Sequence, residues 1–316
     1  MINTEYVKCN FCDSDNTELL FKQKDLLLEE NAYEFSIVQC KNCGLVYINP
    51  RPTLYEIGKF YPKNFVSYQF ELSELDNQST RREKIISSIT KSISLSRIRD
   101  VAKHITFNSN TKALDIGCGK GAYLYYLKRI YECKCFGIDF DHDSVEYCKK
   151  KLGLNVLQGD ITMINEIKED FDIITMWHFL EHEFSPLSTL LKVASHLKRE
   201  GLLVIEVPNH ESFENKIFKK RSYLYDVPRH LYNFSPLTIS SLLKKVNLEV
   251  QKISFPQQSG GWLGTAQNIL FKGKVYKNMA ANAFKLLALG AITLPIDYIT
   301  SKTHMGSIMR VYAKNK

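Results

Sequence analysis

Residues 113–121 read Ala-Leu-Asp-Ile-Gly-Cys-Gly-Lys-Gly: an apolar run closed by a turn with glycine at every second position. The run 112–116 reads as a buried strand, and a helical pattern begins at Ala122 directly after the turn. A strand-to-helix turn of this kind brings backbone close to a ligand. Glycine at 117 and 119 clears side chains from that approach, and glycine at 121 lets the helix pack on its strand. A dinucleotide fingerprint would carry its third glycine where Ala122 stands, so the spacing alone does not select the nucleotide.

Outward from this turn, strand-like runs at 135–138, 155–157, 171–176 and 202–207 alternate with helical patterns. That alternation predicts a parallel sheet with helices on both faces. The clearest helix lies before the last run. Ser185 is placed to cap it, Pro186 fits its first turn, Leu187, Leu190, Leu191, Ala194 and Leu197 line one face, and Gly201 ends it. Acids close successive runs: Asp139 where a carboxylate can accept from both ribose hydroxyls, and Asp160 where a base amine would lie. An isolated acid at a strand end is usually a cap or turn residue, but with Asp115 these form a series.

The segments LDIGCGKG, GIDFD, QGDI, FDIITMWHFLEH and LKREGLLVIEVPN together resemble class I S-adenosylmethionine-dependent methyltransferases. The WHFLEH segment is similar to the branch with ubiquinone-type and sugar methyltransferases, and GSIMRVYAK resembles the family's final antiparallel strand. The resemblance implies an α/β fold with a Rossmann-like seven-stranded sheet, helices on both faces, and S-adenosylmethionine at the C-terminal strand edge. It also implies the cofactor-binding residues. Asp115, Gly117, Cys118, Gly119 and Gly121 would face the methionine part, Asp139 and Phe140 the ribose, and Asp160 and Ile161 the adenine, with Met176 and Trp177 beside them.

Cys9 and Cys12, then Cys40 and Cys43, repeat one Cys-x-x-Cys spacing, the pattern of a four-thiolate tetrahedral Zn2+ site. A redox pair is the weaker reading, since no strand-helix context surrounds either unit. The second unit is followed by Gly44, which suits a tight turn; the first is followed by Asp13. The module also resembles N-terminal zinc modules on bacterial polysaccharide-pathway methyltransferases. Asn49-Pro50-Arg51-Pro52 marks its exit. The expected division is a zinc module at 1–52, an amphipathic helical connector at 53–107 in which Ile85, Ile89, Ile93, Ile98, Val101 and Ile105 recur at helical spacing, and a methyltransferase domain at 108–316 with insertions at about 210–228 and 256–304.

The 316 residues are 44% hydrophobic and 24% charged, the profile of a folded soluble chain rather than a disordered one. The net charge of +8 permits an anionic partner without demanding one. No apolar leader opens the sequence, which leads us to expect a cytoplasmic protein, with the inner face of the membrane as a further location. The stretch 279–299 is apolar but interrupted by Lys285, Pro295 and Asp297, too short an uncharged run to span a bilayer. Burial against the core or in a homodimer is the plain reading. The sharper one is contact with a membrane surface, Lys272, Lys274 and Lys277 lying near anionic headgroups.

Transfer of a methyl group to an alcohol benefits from a base, and histidine is the obvious candidate. His230 is the first choice, His178 the second, and His182 the third, the last with an equally strong structural reading. Paired zinc ligation by His178 and His182 is set aside because the family's transfer is metal-free. Tyr223, Tyr225 and Tyr232 are placed to stack on a sugar or base, and Lys219, Lys220, Arg221 and Arg229 to meet a phosphate. The leading expectation is O-methylation of a sugar, glycan or lipid-linked intermediate, phosphorylated or not. The alternatives are an RNA methyltransferase using the zinc module and a non-catalytic cofactor-binding protein. Nucleic acid is the less favoured partner because Lys8, Lys22, Lys24 and Lys41 are offset by Asp13, Asp15, Glu18, Asp25, Glu29 and Glu30.

Overall fold

The computed structural model describes residues 2–26, 33–61, 71–72, 80–258, 260–271 and 283–316. Strands β1 (Thr4–Glu5), β2 (Thr17–Lys24), β3 (Glu34–Cys40), β4 (Val46–Ile48) and β5 (Arg51–Pro52) come first, followed by α1 (Leu54–Ile57) and α2 (Arg81–Val101). A capping box starts α2: the Glu83 amide donates to the Thr80 hydroxyl, and the Thr80 amide to the Glu83 carboxylate. The isoleucine face expected for this helix is only half realised. Ile98 and Val101 enter the core with Ser87 and Ser94 also turned inward, whereas Ile85, Ile89 and Ile93 are exposed.

The chain continues through β6 (Lys112–Ile116), α3 (Ala122–Tyr131), β7 (Lys134–Asp139), α4 (His142–Lys150), β8 (Asn155–Gln158), β9 (Phe171–Trp177), α5 (Pro186–Ser195) and β10 (Leu197–Pro208). It ends with α6 (Phe213–Phe218), β11 (Tyr232–Asn233), α7 (Pro236–Lys245), β12 (Leu248–Ser254), α8 (Gly260–Phe271), α9 (Ala283–Lys302) and β13 (Ile308–Asn315). A seven-stranded sheet takes the order β12-β13-β10-β9-β6-β7-β8, with β13 antiparallel to both neighbours, as the C-terminal motif led us to expect. The order in which successive strands are added reverses between the parallel strands β6 and β9, and crevices for ligands form outside the strand ends at such a point.

Consecutive residues enter opposite cores: Leu114, Ile174 and Leu203 pack on one face, Ala113, Ile173 and Val204 on the other. Because side chains alternate along a strand, covering both faces demands the near-continuous apolar runs read in the sequence. The helix α5 departs from its expectation. It ends at Ser195, Leu191 lies outward, and Leu197 and Gly201 already belong to β10. Ser185 is its N-cap residue but makes no side-chain cap; the Asn10 side chain accepts from the Leu187 amide at 2.9 Å and donates to the Ser185 hydroxyl at 3.1 Å.

The cysteine-bearing segment does not stand apart. Its sheet runs β11-β4-β3-β2, so the last strand comes from beyond β10. Arg229, fully buried, is held bidentately by Asp25 at 2.9 Å and by Asp226 at 2.6 and 3.0 Å, with the Phe60 carbonyl at 3.0 Å. No described helix is long and apolar enough to cross a membrane. Residues 272–282, which include Lys272, Lys274 and Lys277, lie outside the described residues.

Candidate cofactor and acceptor site

At the C-terminal edge of β6 the chain turns through Gly117, Gly119 and Gly121, whose φ angles of +73°, +52° and +71° are costly for any side chain. A Cβ at Gly121 would lie 2.7 Å from the Cys148 sulfur and 2.8 Å from Leu154, so this glycine serves helix packing. A Cβ at Gly119 would meet nothing, which leaves open space above the turn. The Gly119 amide donates to Asp139 at 2.7 Å and the Asp141 amide to its other oxygen at 3.0 Å, fixing the Asp139 carboxylate at the tip of β7. Burial nevertheless raises its pKa above the usual carboxylate value.

The other expected cofactor residues fall into two groups. Phe140 is exposed at the lip beside Asp139, and Cys118 lies in the turn itself. Asp160 caps the turn Ile161–Glu166 by accepting from the Thr162 amide at 2.8 Å. Asp115, Ile161 and Met176 are buried instead. The Asp115 carboxyl receives the Thr175 hydroxyl at 2.6 Å and is pushed up to about 7 by burial, while Ile161 and Met176 pack in the core. Arg97 and Arg310 both lie against the Trp177 ring, at 4.5 and 5.2 Å from its centroid.

Those arginines belong to a cluster the sequence reading missed. Glu206, fully buried on β10, receives Arg97 from α2 and Arg310 from β13, which hold it well below the usual carboxylate range although burial alone would raise it. A lone acid within the apolar run Leu202 to Val207, and a lone arginine within Ser-Ile-Met-Arg-Val, were the available signals. His178, at φ +54° directly after β9, places Nδ1 3.2 Å from Glu181 and Nε2 3.4 Å from Glu206. Burial opposes its charge, but the hydrogen bonds to Glu181 and Glu206 push its pKa up to about 9. His178 therefore holds a proton at neutral pH and is poorly suited to the role of base.

Further out, one donor atom from each of Glu181, His182 and His230 lies within 4.8 Å of the others. The Nδ1 atom of His182 is 3.0 Å from the Arg229 carbonyl and from the Tyr61 hydroxyl, and that of His230 is 2.8 Å from the Leu224 carbonyl. A carbonyl can only accept, so each ring carries a proton on Nδ1. Burial and the neighbouring His230 push His182 down to about 4, so it is neutral. Arg229, Tyr225 and Tyr232 are buried in ion pairs and packing, which removes them as phosphate or stacking contacts; Lys219, Lys220 and Arg221 remain exposed.

The four cysteines converge. Cys9 and Cys43 sulfurs are 3.4 Å apart, as are those of Cys12 and Cys40, and all four lie within 4.8 Å of one another. Tetrahedral bonds of about 2.3 Å put sulfurs roughly 3.8 Å apart, so the cluster fits one such ion. Both knuckles close alike: the Asp13 amide returns to the Cys9 carbonyl and that of Gly44 to Cys40, with φ of +58° and +77°. Aspartate tolerates that region, which is why Asp13 serves where glycine is commoner.

Residues 84–253 match the family described as a methyltransferase domain. The chain belongs to that family. Among curated relatives, the chain is 30% identical over 141 residues to a tRNA U34 carboxymethyltransferase of Vibrio parahaemolyticus, covering 42% of this chain and 43% of the relative. It is 27% identical over 146 residues to a ubiquinone biosynthesis O-methyltransferase of Coxiella burnetii, covering 45% and 58%. The chain thus spans about half the length of the curated relatives it matches. Among solved structures it resembles magnesium protoporphyrin IX methyltransferase of Synechocystis with bound SAH, at TM-score 0.50 and 12% identity over 82% of this chain and 97% of that one. It resembles the cyclase SpnF at TM-score 0.52 and 13% identity, over 84% and 97%. One of these folds carries a cyclase name, so the methyltransferase fold alone does not name the acceptor.

Proposed function

We propose that the protein transfers a methyl group from S-adenosylmethionine to a hydroxyl of a sugar, glycan or lipid-linked acceptor, with His230 as general base. The observation that carries this reading is the Gly119 to Asp139 hydrogen bond at 2.7 Å, which presents a fixed carboxylate beside a side-chain-free turn at the switch point of the sheet. S-adenosylmethionine, when bound, supplies an electrophilic methyl on sulfonium. The chain's part is alignment: Asp139 accepts from the ribose hydroxyls, and Phe140 and Asp160 flank the nucleoside. The imidazolium of His178, anchored by Glu181 and Glu206, adds a fixed positive charge at the end of β9. His230, its Nδ1 committed to Leu224, accepts the acceptor's proton on Nε2, with neutral His182 stacked edge-on at 4.8 Å.

We further propose that Cys9, Cys12, Cys40 and Cys43 hold one structural Zn2+, since four thiolates leave no open position. An RNA acceptor has the tRNA-modifying relatives in its favour, but acids offset the basic residues of the cysteine-bearing segment. Calorimetry and transfer of a labelled methyl group to compounds in cell extract test the reading. Asp139→Ala should weaken cofactor binding about ten- to a hundredfold, the scale of one charged hydrogen bond. His230→Ala should keep cofactor affinity and lose about 10²- to 10⁴-fold in turnover. Unchanged binding in the first variant, or unchanged turnover in the second, would overturn the respective assignment; no labelled product with any extract would favour a non-catalytic protein.

A further inference from the structure

The C-terminal half of α9 is built inside out. Its inward face carries Thr293, Asp297 and Thr300, all buried, and the Thr300 hydroxyl is returned to the Ile296 and Asp297 carbonyls. Its outward face carries Ile292 at 65% exposure, Leu294 at 46%, Tyr298 at 52% and Ile299 at 60%, with Ala291 and Pro295 also exposed. A surface helix in water shows the reverse pattern, apolar inward and charged outward. Polar groups turned to the protein and apolar groups turned away is the arrangement favoured where the surroundings are hydrocarbon.

One cation flanks this surface at the end of α9, and others lie on the segment that packs against α8. Helix α8 packs on α9, and the Trp262 ring of α8 meets Phe213 and Phe218 of α6 at 6.3 and 5.9 Å. On that adjoining α6 segment Ile217 is exposed together with Lys216, Lys219, Lys220 and Arg221. At the end of α9 the Lys302 ammonium lies 5.6 Å over the Tyr298 ring, an aromatic and a long cation side by side as at a headgroup boundary. The α6 and α8 segments also share a buried acid, Glu214, which receives the hydroxyls of Ser307, Ser222 and Thr265.

We propose that α9, the helix α8 packed on it and the adjoining α6 segment seat this protein on an anionic lipid bilayer, with Ile292, Leu294, Tyr298 and Ile299 in the interface and Lys216, Lys219, Lys220, Arg221 and Lys302 at the headgroups. The surface lies on it rather than spanning it, because no described helix is long and apolar enough to cross. RNA would use the cations but leave the isoleucines unaccounted for, and a second copy would bring the same cations face to face. The inference goes beyond the proposed methyl transfer and stands without it.

Sedimentation of the full chain with vesicles tests it. Phosphatidylcholine vesicles containing a third phosphatidylglycerol should pull down the protein at low salt, pure phosphatidylcholine vesicles should do so far less, and added salt should release it. Replacing Lys219, Lys220 and Arg221 with Glu should weaken binding by roughly fivefold or more per cation lost. Ile292→Asp with Ile299→Asp, outward positions where folding is checked by an unchanged melting temperature, should weaken it at least tenfold. Failure to bind anionic vesicles, or indifference to the isoleucine changes, overturns the inference. So does a dimer in lipid-free solution that those changes dissociate, or tighter binding to an RNA oligonucleotide than to the vesicles. Cofactor binding measured on the same samples separates this outcome from failure of the methyl-transfer reading.

Discussion

His178 and His182, four residues apart, are driven in opposite directions by their surroundings, and pH should separate them. With a folded pKa of about 9, above the ordinary 6.5, the protonated His178 contributes stability that is whole below about pH 6.5 and is lost as pH rises through 9. His182, held down to about 4, contributes stability that is whole above about pH 6.5 and is lost as pH falls towards 4. Denaturant unfolding across pH should therefore give a dome. Its alkaline limb should flatten in His178→Gln, and its acid limb in His182→Gln; a parent profile flat from pH 5 to 9 would contradict both. The sequence made these histidines visible as candidates but not their order. The proton on His178 depends on Glu181 nearby and on Glu206, a residue whose partners Arg97 and Arg310 lie far apart in the sequence.

The central elements of the large sheet were legible because strands buried on both faces need nearly continuous apolar residues, and β6, β9 and the second half of β10 supply them apart from a few polar residues such as Asp115 and Glu206. Helix ends were less so. Ser185 and Pro186 announced the start of α5, but the amide of Leu187 is capped by Asn10, far away in sequence, and no local pattern reveals that. Asn10→Ala should cost about 1 kcal/mol in chemical unfolding, the usual worth of a cap, and Ser185→Ala, whose hydroxyl caps nothing in α5, distinctly less. Equal losses would mean that Asn10 acts only as a packing contact. The outward isoleucines of α2 were misread for a different reason: Ile85, Ile89 and Ile93 share a face opposite to the buried one, which runs through Ser87, Ser94, Ile98 and Val101.

On the scale of the molecule, the cysteine-bearing segment is tied to the rest by β11, by Arg229 between Asp25 and Asp226, and by Asn10 on α5. Metal analysis of protein purified without chelator should give about one zinc per chain. Stripping that metal should free Asn10 along with its knuckle, lowering the melting temperature of the whole chain in one transition; a separate low-temperature transition that spares the remainder would show that the segment melts alone. A chain lacking 1–52 should not fold well, because Arg229 would leave Asp226 its sole carboxylate and Tyr232 would lose its strand partner.

The position of β11 has a consequence for how the chain is made. A ribosome delivers Val46–Ile48 first and Tyr232–Asn233 roughly 10 to 40 s later, at about 5–20 residues per second. For that interval β4 offers Val-Tyr-Ile with an unfilled hydrogen-bonding side, and Asp25 waits for its guanidinium. An open apolar edge is a template for pairing with a neighbouring nascent chain. Slower initiation, which spaces nascent chains apart while that edge is open, should therefore raise the soluble yield of this protein.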